Sequence, residues 1–375
     1  MTWAIYAINA LHLHRTGCAA YTYLLQSSQP YIRGPFSQFS EQRTDTWSWT
    51  DAAAGQEDER AAMLREHLGT AETAAAFPFL TGYGGYLQIF THGFTGMRAD
   101  IDGYEVIDGK KGPMRIVLVV DPVMVPQFPD GLRIKGIKFH GAVLDFNIGP
   151  RTTTISRRGG RHFADGKTIN VKTQGRGVSS EYRHYTLDPG DAITIPTRRP
   201  DLDGPKVPGN FAQCAPISSI TPPDGRFLQG EGTSAGAGWI AGRHPVAAVD
   251  GSPDTVWQPA SPEESSVLID LGQVKLVSAV MVNWADSPAE KLLVEGFLNG
   301  EEENAGWVTM LQVGQVSISS PYDPHKPPRI ALPDANVTSA SFDRSWNVSK
   351  FRVTMKGTQG VDKNVGATVA EISIL

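Results

Sequence analysis

"LRIKGIKFHGAVLDFNI", residues 132 to 148, alternates apolar and polar side chains with the period of two that marks half-buried strands. Working outward, the same grammar recurs in "MRIVLVV" (114–120), "TTTISR" (152–157), "INVKT" (169–173) and "AITIP" (192–196), separated by Gly, Pro and Asp turns. Residues from Ile101 to about Ile195 therefore read as an antiparallel β-sandwich. Further strands follow in "SVLIDLG", "VSAVMVNW", "KLLVEGFL", "WVTMLQV", "KFRVTMKG" and "TVAEISIL", at spacings suited to a second sandwich. Between the two, "TRRPDLDGPKVPGN" (197–210) has no apolar period and is the best linker candidate. Upstream the period changes. Trp3, Tyr6, Ala7, Ala10, Leu11 and His14 recur at helical spacing, and helix patterns return in "GQEDERAAMLREHLG" (55–69) and "GGYLQIFTHGF" (84–94).

The chain has 375 residues, enough for two or three domains each with its own core. Charged residues make up 19% and the net charge is -5, without a basic stripe, so nucleic acid is not an expected partner. The longest apolar run, "MRIVLVVDPVMV", is broken by Asp121 and Pro122 and falls short of the ~20 residues that span a bilayer, so no membrane span is expected. The first residues lack a basic n-region and a cleavage site and do not read as a signal peptide; a start inside a packed helix pair suggests a fragment. Cys18 and Cys214 are expected to be free thiols, although their pairing is not deducible from sequence. "NVT" at Asn336 and "NVS" at Asn347 are glycosylation sequons and tilt the compartment outward. No histidine or cysteine spacing suits zinc, "HLH" (12–14) reads as packing, and the basic clusters "GKKG" and "RRGGR" read as solvated turns.

The block "FPFLTGYGGYLQIFTHGFTGMR" (77–98) places Gly82, Gly84 and Gly85 on a path into a helix, where free amides could face a sugar hydroxyl or an anion. From the residues alone a plain turn before a helix is the preferred reading. Taken with "MTWAIYAIN", "GCAAYTYLLQSSQPYIRGPFSQFSEQ" and "LRIKGIKFHG", the block resembles the C-terminal part of glycoside hydrolase family 65, in its fungal acid trehalase branch, over about residues 1–200. The resemblance implies a multidomain α+β chain. Residues 1–98 would hold the last helices of an incomplete (α/α)6 catalytic barrel, and 99–200 a β-sandwich cap domain. A linker would occupy 201–211 and a second β-sandwich 212–375.

It also implies inverting hydrolysis of trehalose or a related α-glucoside to release glucose, without a cofactor for catalysis. Glu41, in "FSEQ", inherits the role of general base, and Gly82, Gly84, Gly85 and Gln88 that of substrate-binding residues. An inverting enzyme needs a second carboxylic acid about 6.5–9.5 Å away as general acid. The resemblance places that acid upstream, and none of the 40 residues before Glu41 is acidic. The chain is therefore expected to lack it and to need the missing N-terminal barrel portion as partner. The stretch 44–75 also departs from the family pattern. Phosphorylases of the family need no such base, so Glu41 favours hydrolysis; a non-catalytic glycan-binding protein on a vestigial barrel is the alternative. The parent would be extracellular, cell-wall or vacuolar.

The last third, with "HPVAAVDGSPDTVWQP" (244–259), "VLIDLG" and the terminal "AEISIL", resembles the discoidin or coagulation factor type C fold, a galactose-binding-like jelly roll shared with carbohydrate modules. That implies a structural Ca²⁺ held by the side chains of Asp250, Thr255 and Glu371 and the backbone oxygens of Ser252 and Ala247, since hard cations want six or more oxygens. The residues alone equally allow a turn held by hydrogen bonds, Asp250 forming an Asx-turn and Thr255 a hydroxyl bond. Trp257 reads as core. "NWADSP" (283–288), "SPYDPHKPP" (320–328) and "DRSWNVS" (343–349) are candidate loops for cell-wall glycan, with Tyr322 and Trp346 able to stack on a sugar.

Overall fold

The structure is a computed structural model, and it describes every residue except 1, 14–16, 34–35, 42–77, 160–167, 174–181, 203, 220–238, 241, 299–305 and 319–335. The helix expected at 55–69 and the loop at 320–328 lie outside the described residues. Contacts divide the chain into two compact units, one formed by 2–24 with 85–208, the other by 25–84 with 209–375.

In the first unit, helix α1 (Thr2–His12) buries Ala4, Ala7 and Leu11 along one stripe. That stripe meets a π-helical turn (Ile89–Phe94) that continues α3 (Leu80–Gln88), itself preceded in the chain by α2 (Ala19–Ser28). Gly93 makes the approach possible, because a β-carbon there would stand 2.9 Å from Leu11 Cδ1. His12 meets the His92 carbonyl through Nε2 at 3.0 Å, and burial lowers its pKa, in keeping with a packing role.

The strands that follow form two four-stranded sheets. One has the order β3-β4-β8-β9 (Arg98–Ile107, Lys110–Val120, Ile169–Thr173, Arg183–Leu187). The other runs β10-β7-β6-β5 (Ala192–Pro196, Thr152–Arg157, Ala142–Ile148, Leu132–Phe139). Val117 to Val120, Val171 and Leu187 of the first sheet are buried, as are Leu144, Phe146, Ile148, Ile155 and Ile195 of the second. β4 and β8 pair in parallel, a departure from the all-antiparallel expectation. "RRGGR" departs as well: Arg157 is buried and donates from Nη1 to the Leu187 carbonyl, while Arg158 grips Asp145 through Nε and Nη2 at 3.0 and 2.8 Å.

The stretch expected to be a linker is stapled at its start. Arg198 is buried, pairs with Asp121 at 3.2 Å, donates to the Leu11 carbonyl, and bridges Val123 in parallel through its backbone. Arg199 holds Asp201 in a two-point ion pair. At its other end Asn210 Oδ1 accepts from the Ala212 and Ile374 amides, in the second unit.

The second unit contains the short hairpin β1–β2 (Ile32–Arg33, Gln38–Phe39) and a six-stranded sheet of order β11-β12-β15-β13-β14, with β16 paired to β12. "SVLIDLG" and "VSAVMVNW" are not two strands but one, β12 (Ser265–Asn283), with register shifts against β15 (Val337–Lys356) between Asp270 and Lys275 and between Val277 and Ala279. The first shift spans Gly272, whose φ of 71° suits an irregular turn of the strand. Its first half pairs with β11 (Ile217–Ser219) and its second with β16 (Glu371–Ile374). β13 (Lys291–Leu298) sits between β15 and β14 (Gly306–Val313). The core gathers Trp257, Trp284, Phe351, Ile269 and Ile372, as expected for Trp257.

Cys18 and Cys214 are both disulfide-bonded, and neither is the free thiol expected from sequence. Asn336 is buried and its amide donates to the Ala285 carbonyl at 2.7 Å, so this sequon is closed in the folded chain, whereas Asn347 is exposed.

Gly96 has φ of 62°, and a β-carbon there would overlap the Asp121 backbone. Gly96→Ala is expected to lower stability by about 2–4 kcal/mol, the sum of left-handed strain and overpacking, as read by chemical denaturation.

Candidate functional site

Two constellations sit in the second unit. The first surrounds Glu41. β2 ends at Phe39, which is buried, and the chain turns through Ser40 into an exposed bend at Glu41. Phe39 is tied to the glycine block on three sides: its ring lies 4.9 Å from that of Tyr83, its amide donates to the Tyr83 hydroxyl at 3.1 Å, and its carbonyl accepts from the Phe79 amide at 2.7 Å. Two motifs more than 40 residues apart in sequence are thus brought together, and Glu41 stands two residues beyond the anchor.

The glycines are not ahead of a helix, as expected, but inside one: α3 begins at Leu80 and takes in Gly82, Gly84 and Gly85. Their amides are therefore within the helical segment rather than presented by a loop before it. Gly82 is a packing residue, since a β-carbon there would be 2.9 Å from Phe79 and 3.2 Å from Phe39. Gly84 is exposed, and among the described residues nothing lies within 4 Å of a β-carbon built there. Gln88 closes α3 and is exposed. Tyr83 was not singled out from sequence; a phenol between glycines that admit aromatic neighbours was the available signal.

The second constellation is the turn after the 3₁₀ segment Pro245–Val249. Asp250 is fully buried; Oδ1 accepts from the Ser252 amide at 2.8 Å and Oδ2 from the Thr255 hydroxyl at 2.7 Å. The Thr255 hydroxyl also reaches the Ser252 carbonyl at 3.1 Å. Glu371, 120 residues on at the start of β16, accepts from the Gly251 amide at 3.0 Å through Oε2. Ala247 is buried in the 3₁₀ segment. The hydrogen-bonded turn is therefore fully formed, and it concentrates two carboxylates, one hydroxyl and backbone carbonyls. Among the described residues no three His, Cys, Asp or Glu side chains group as a metal site. The neutral oxygens of the turn would have to complete any coordination shell, as oxygen-rich hard-cation sites allow.

The candidate glycan loops take other roles. Trp284 of "NWADSP" is core, with its indole N–H on Thr338, and Asp286 and Ser287 are held by Thr368. "DRSWNVS" is strand within β15, and the Arg344 guanidinium covers the Trp346 ring at 3.9 Å.

No protein-family model matches the chain. The cell wall acid trehalase of Arthroderma benhamiae is 30% identical over 409 aligned positions, covering 100% of this chain and 34% of that protein. The periplasmic/secreted acid trehalase of Candida glabrata is 29% identical over 78% of this chain and 22% of its own length. The cell wall acid trehalase of Candida albicans is 25% identical over 99% and 34%. Its relatives are fungal acid trehalases. The chain spans about a third of the length of the first of these trehalases. Among solved structures, a chitosan-binding module of a Paenibacillus chitosanase/glucanase matches 44% of this chain and 98% of its own at 18% identity and a TM-score of 0.30. A family 32 carbohydrate-binding module from C. perfringens in complex with galactose matches 42% and 91% at 15% identity and a TM-score of 0.27.

His244, immediately before the 3₁₀ segment, is buried, and among the described residues neither ring nitrogen has a hydrogen-bond partner. Burial pushes its pKa down to about 4. Because the native state resists a proton that the unfolded chain takes up near pH 6.5, stability is full above that value and falls as pH drops toward 4. The loss reaches about 3 kcal/mol at the end of this window. His244→Phe is expected to flatten this slope in denaturation curves collected between pH 7 and 4.

Proposed function

We propose that this chain is the C-terminal part of a fungal acid trehalase-type glycoside hydrolase that cleaves α,α-trehalose with inversion at the cell surface or cell wall. The observation that carries this reading is the alignment of the whole chain with the cell wall acid trehalase of Arthroderma benhamiae at 30% identity. The reading places the helices α1 to α3 as the last helices of an (α/α)6 barrel within glycoside hydrolase family 65. Exposed apolar side chains support it: Ile5 and Tyr6 on α1 and Leu87 on α3 are about half open to solvent, as side chains that further barrel helices cover would be.

Glu41 is the general base. Its position in an exposed bend lets a water approach the carboxylate, while the buried Phe39 anchor limits its travel. The base takes a proton from the attacking water, the water oxygen bonds to the anomeric carbon from the face opposite the leaving group, and a general acid in the upstream barrel protonates the departing glycosidic oxygen. On this reading Gly82, Gly84, Gly85 and Gln88 are the substrate-binding residues. Glu41→Gln, in the full-length parent, is expected to reduce glucose release from trehalose by about 10²–10⁴-fold without changing the unfolding midpoint. Full activity in that variant, or glucose release by the 375-residue chain on its own, refutes the assignment of half a catalytic pair to this segment.

The second unit's jelly-roll portion acts as a carbohydrate module stabilised by calcium. Asp250, Thr255 and Glu371 would hold the ion with the carbonyls of Ser252 and Ala247, and the ion would offset the repulsion between two carboxylates brought to one turn. Calcium at millimolar concentration is expected to raise the unfolding midpoint and EDTA to reverse it; Asp250→Ala should remove the increment. A midpoint indifferent to calcium assigns the turn to hydrogen bonding alone.

A further inference from the structure

We propose that the outer face of the β3-β4-β8-β9 sheet carries a separate binding site for a neutral hexopyranose oligosaccharide, independent of Glu41 and of the C-terminal unit. A cavity of about 540 Å³ opens there, lined by Asp102, Arg115, Asn170, His184, Tyr185 and Thr186. That size falls within the range of small-ligand sites, about 300–1,000 Å³.

Strand alternation places Asn170, His184 and Thr186 on the outward side, while Tyr185, opposite Val171, lies on the strand between them. Val171 and Leu187 are buried on the inner face, so Asn170 and Lys172, paired across the ladder with Thr186 and His184, stand on the other. The β3–β4 hairpin supplies the remaining wall: Arg115 Nε donates to the Asp102 carbonyl at 2.9 Å and Nη2 lies 3.4 Å from Asp102 Oδ2. His184 Nδ1 is 4.0 Å from the same carboxylate oxygen, and Lys172 Nζ is 3.9 Å from Asp100 and 4.0 Å above the Tyr182 ring.

Three properties point to a sugar. The carboxylates and the permanent cations balance, two carboxylates against one guanidinium and one ammonium, so these groups exert no net pull on phosphate or a polyanion. Two of the ion-pair distances, 3.9 and 4.0 Å, exceed hydrogen-bond length, so carboxylate lone pairs and guanidinium, ammonium and imidazole donors retain capacity for ligand hydroxyls. Tyr182, whose ring lies 4.0 Å from Lys172 Nζ, adds ring surface for the apolar face of a pyranose.

The test titrates the 375-residue chain calorimetrically with laminarihexaose, maltohexaose and chitohexaose, and with inorganic phosphate as the anion control. Saturable binding of at least one oligosaccharide is expected, with amide hydrogen-exchange protection in 98–117 and 169–187. The Asp102→Ala/Arg115→Ala double variant should weaken binding at least tenfold with an unchanged unfolding midpoint. The proposal is overturned if none of the three oligosaccharides binds, if protection falls only in 209–375, or if a folded double variant binds within twofold of the parent. Saturation by phosphate with the sugars silent overturns it in favour of an anion site. Should the double variant fail to fold, the location of protection in the parent chain decides.

Discussion

A buried guanidinium cannot give up its proton and must find acceptors, and in the first unit Arg198 finds them in two parts of the chain. Its side chain meets the Asp121 carboxylate at the end of β4 and the Leu11 carbonyl in the last turn of α1. The latter is a helix-terminal acceptor that would otherwise lack an intrahelical donor. Its backbone exchanges hydrogen bonds with Pro122 and Met124. One residue after β10 thereby fixes where the helix ends, where β4 stops, and how the chain leaves the sandwich. Gly96 belongs to the same knot, because only a residue without a β-carbon lets the exit from the π-helical turn lie against Asp121.

The second unit depends on aromatic wedging and on one turn. Phe39 is held by Phe79 and Tyr83, and Gly82 exists to admit it, so the glycines of one motif serve the position of a carboxylate in another. Glu41 thus follows a buried anchor and lies in an exposed bend. At the opposite end of this unit's sequence, Asp250 organises its own turn, and Glu371 closes it from 120 residues away. Both constellations follow one design: a local motif supplies the shape, and a distant residue supplies the restraint.

Much of the strand content was legible because alternation in "LRIKGIKFHGAVLDFNI" and its neighbours reflects one face in a core and one in solvent. The role of Trp257 and the hydrogen-bonded alternative for the Asp250 turn were legible too, being local in origin. Other features were not. Arg157 and Arg198 look like solvated charges, because burial of a charge depends on acceptors that come from other strands. The single long β12 was read as two strands, since a glycine-centred irregularity and a true turn leave the same mark. Gly82, Gly84 and Gly85 read as a loop because glycine is a poor helix former, and the packing of Phe39 and Phe79 that requires Gly82 is not local. Asn336 keeps the form of a sequon while its amide is spent on a backbone carbonyl.

The sequence by itself determined most of the strands, the aromatic-glycine block at 77–98 and the oxygen-rich turn, because each is encoded in periodicity or in residues within one turn of each other. Tertiary structure alone decided that Phe39 meets Tyr83, that Glu371 reaches the Asp250 turn, that both cysteines are oxidised, and that a charge-balanced cleft opens on the outer sheet face. The physical reason is that hydrogen bonds, ion pairs and close packing act over a few ångströms in space. Which residues come within that distance is set by the folded path of the whole chain and not by their spacing along it.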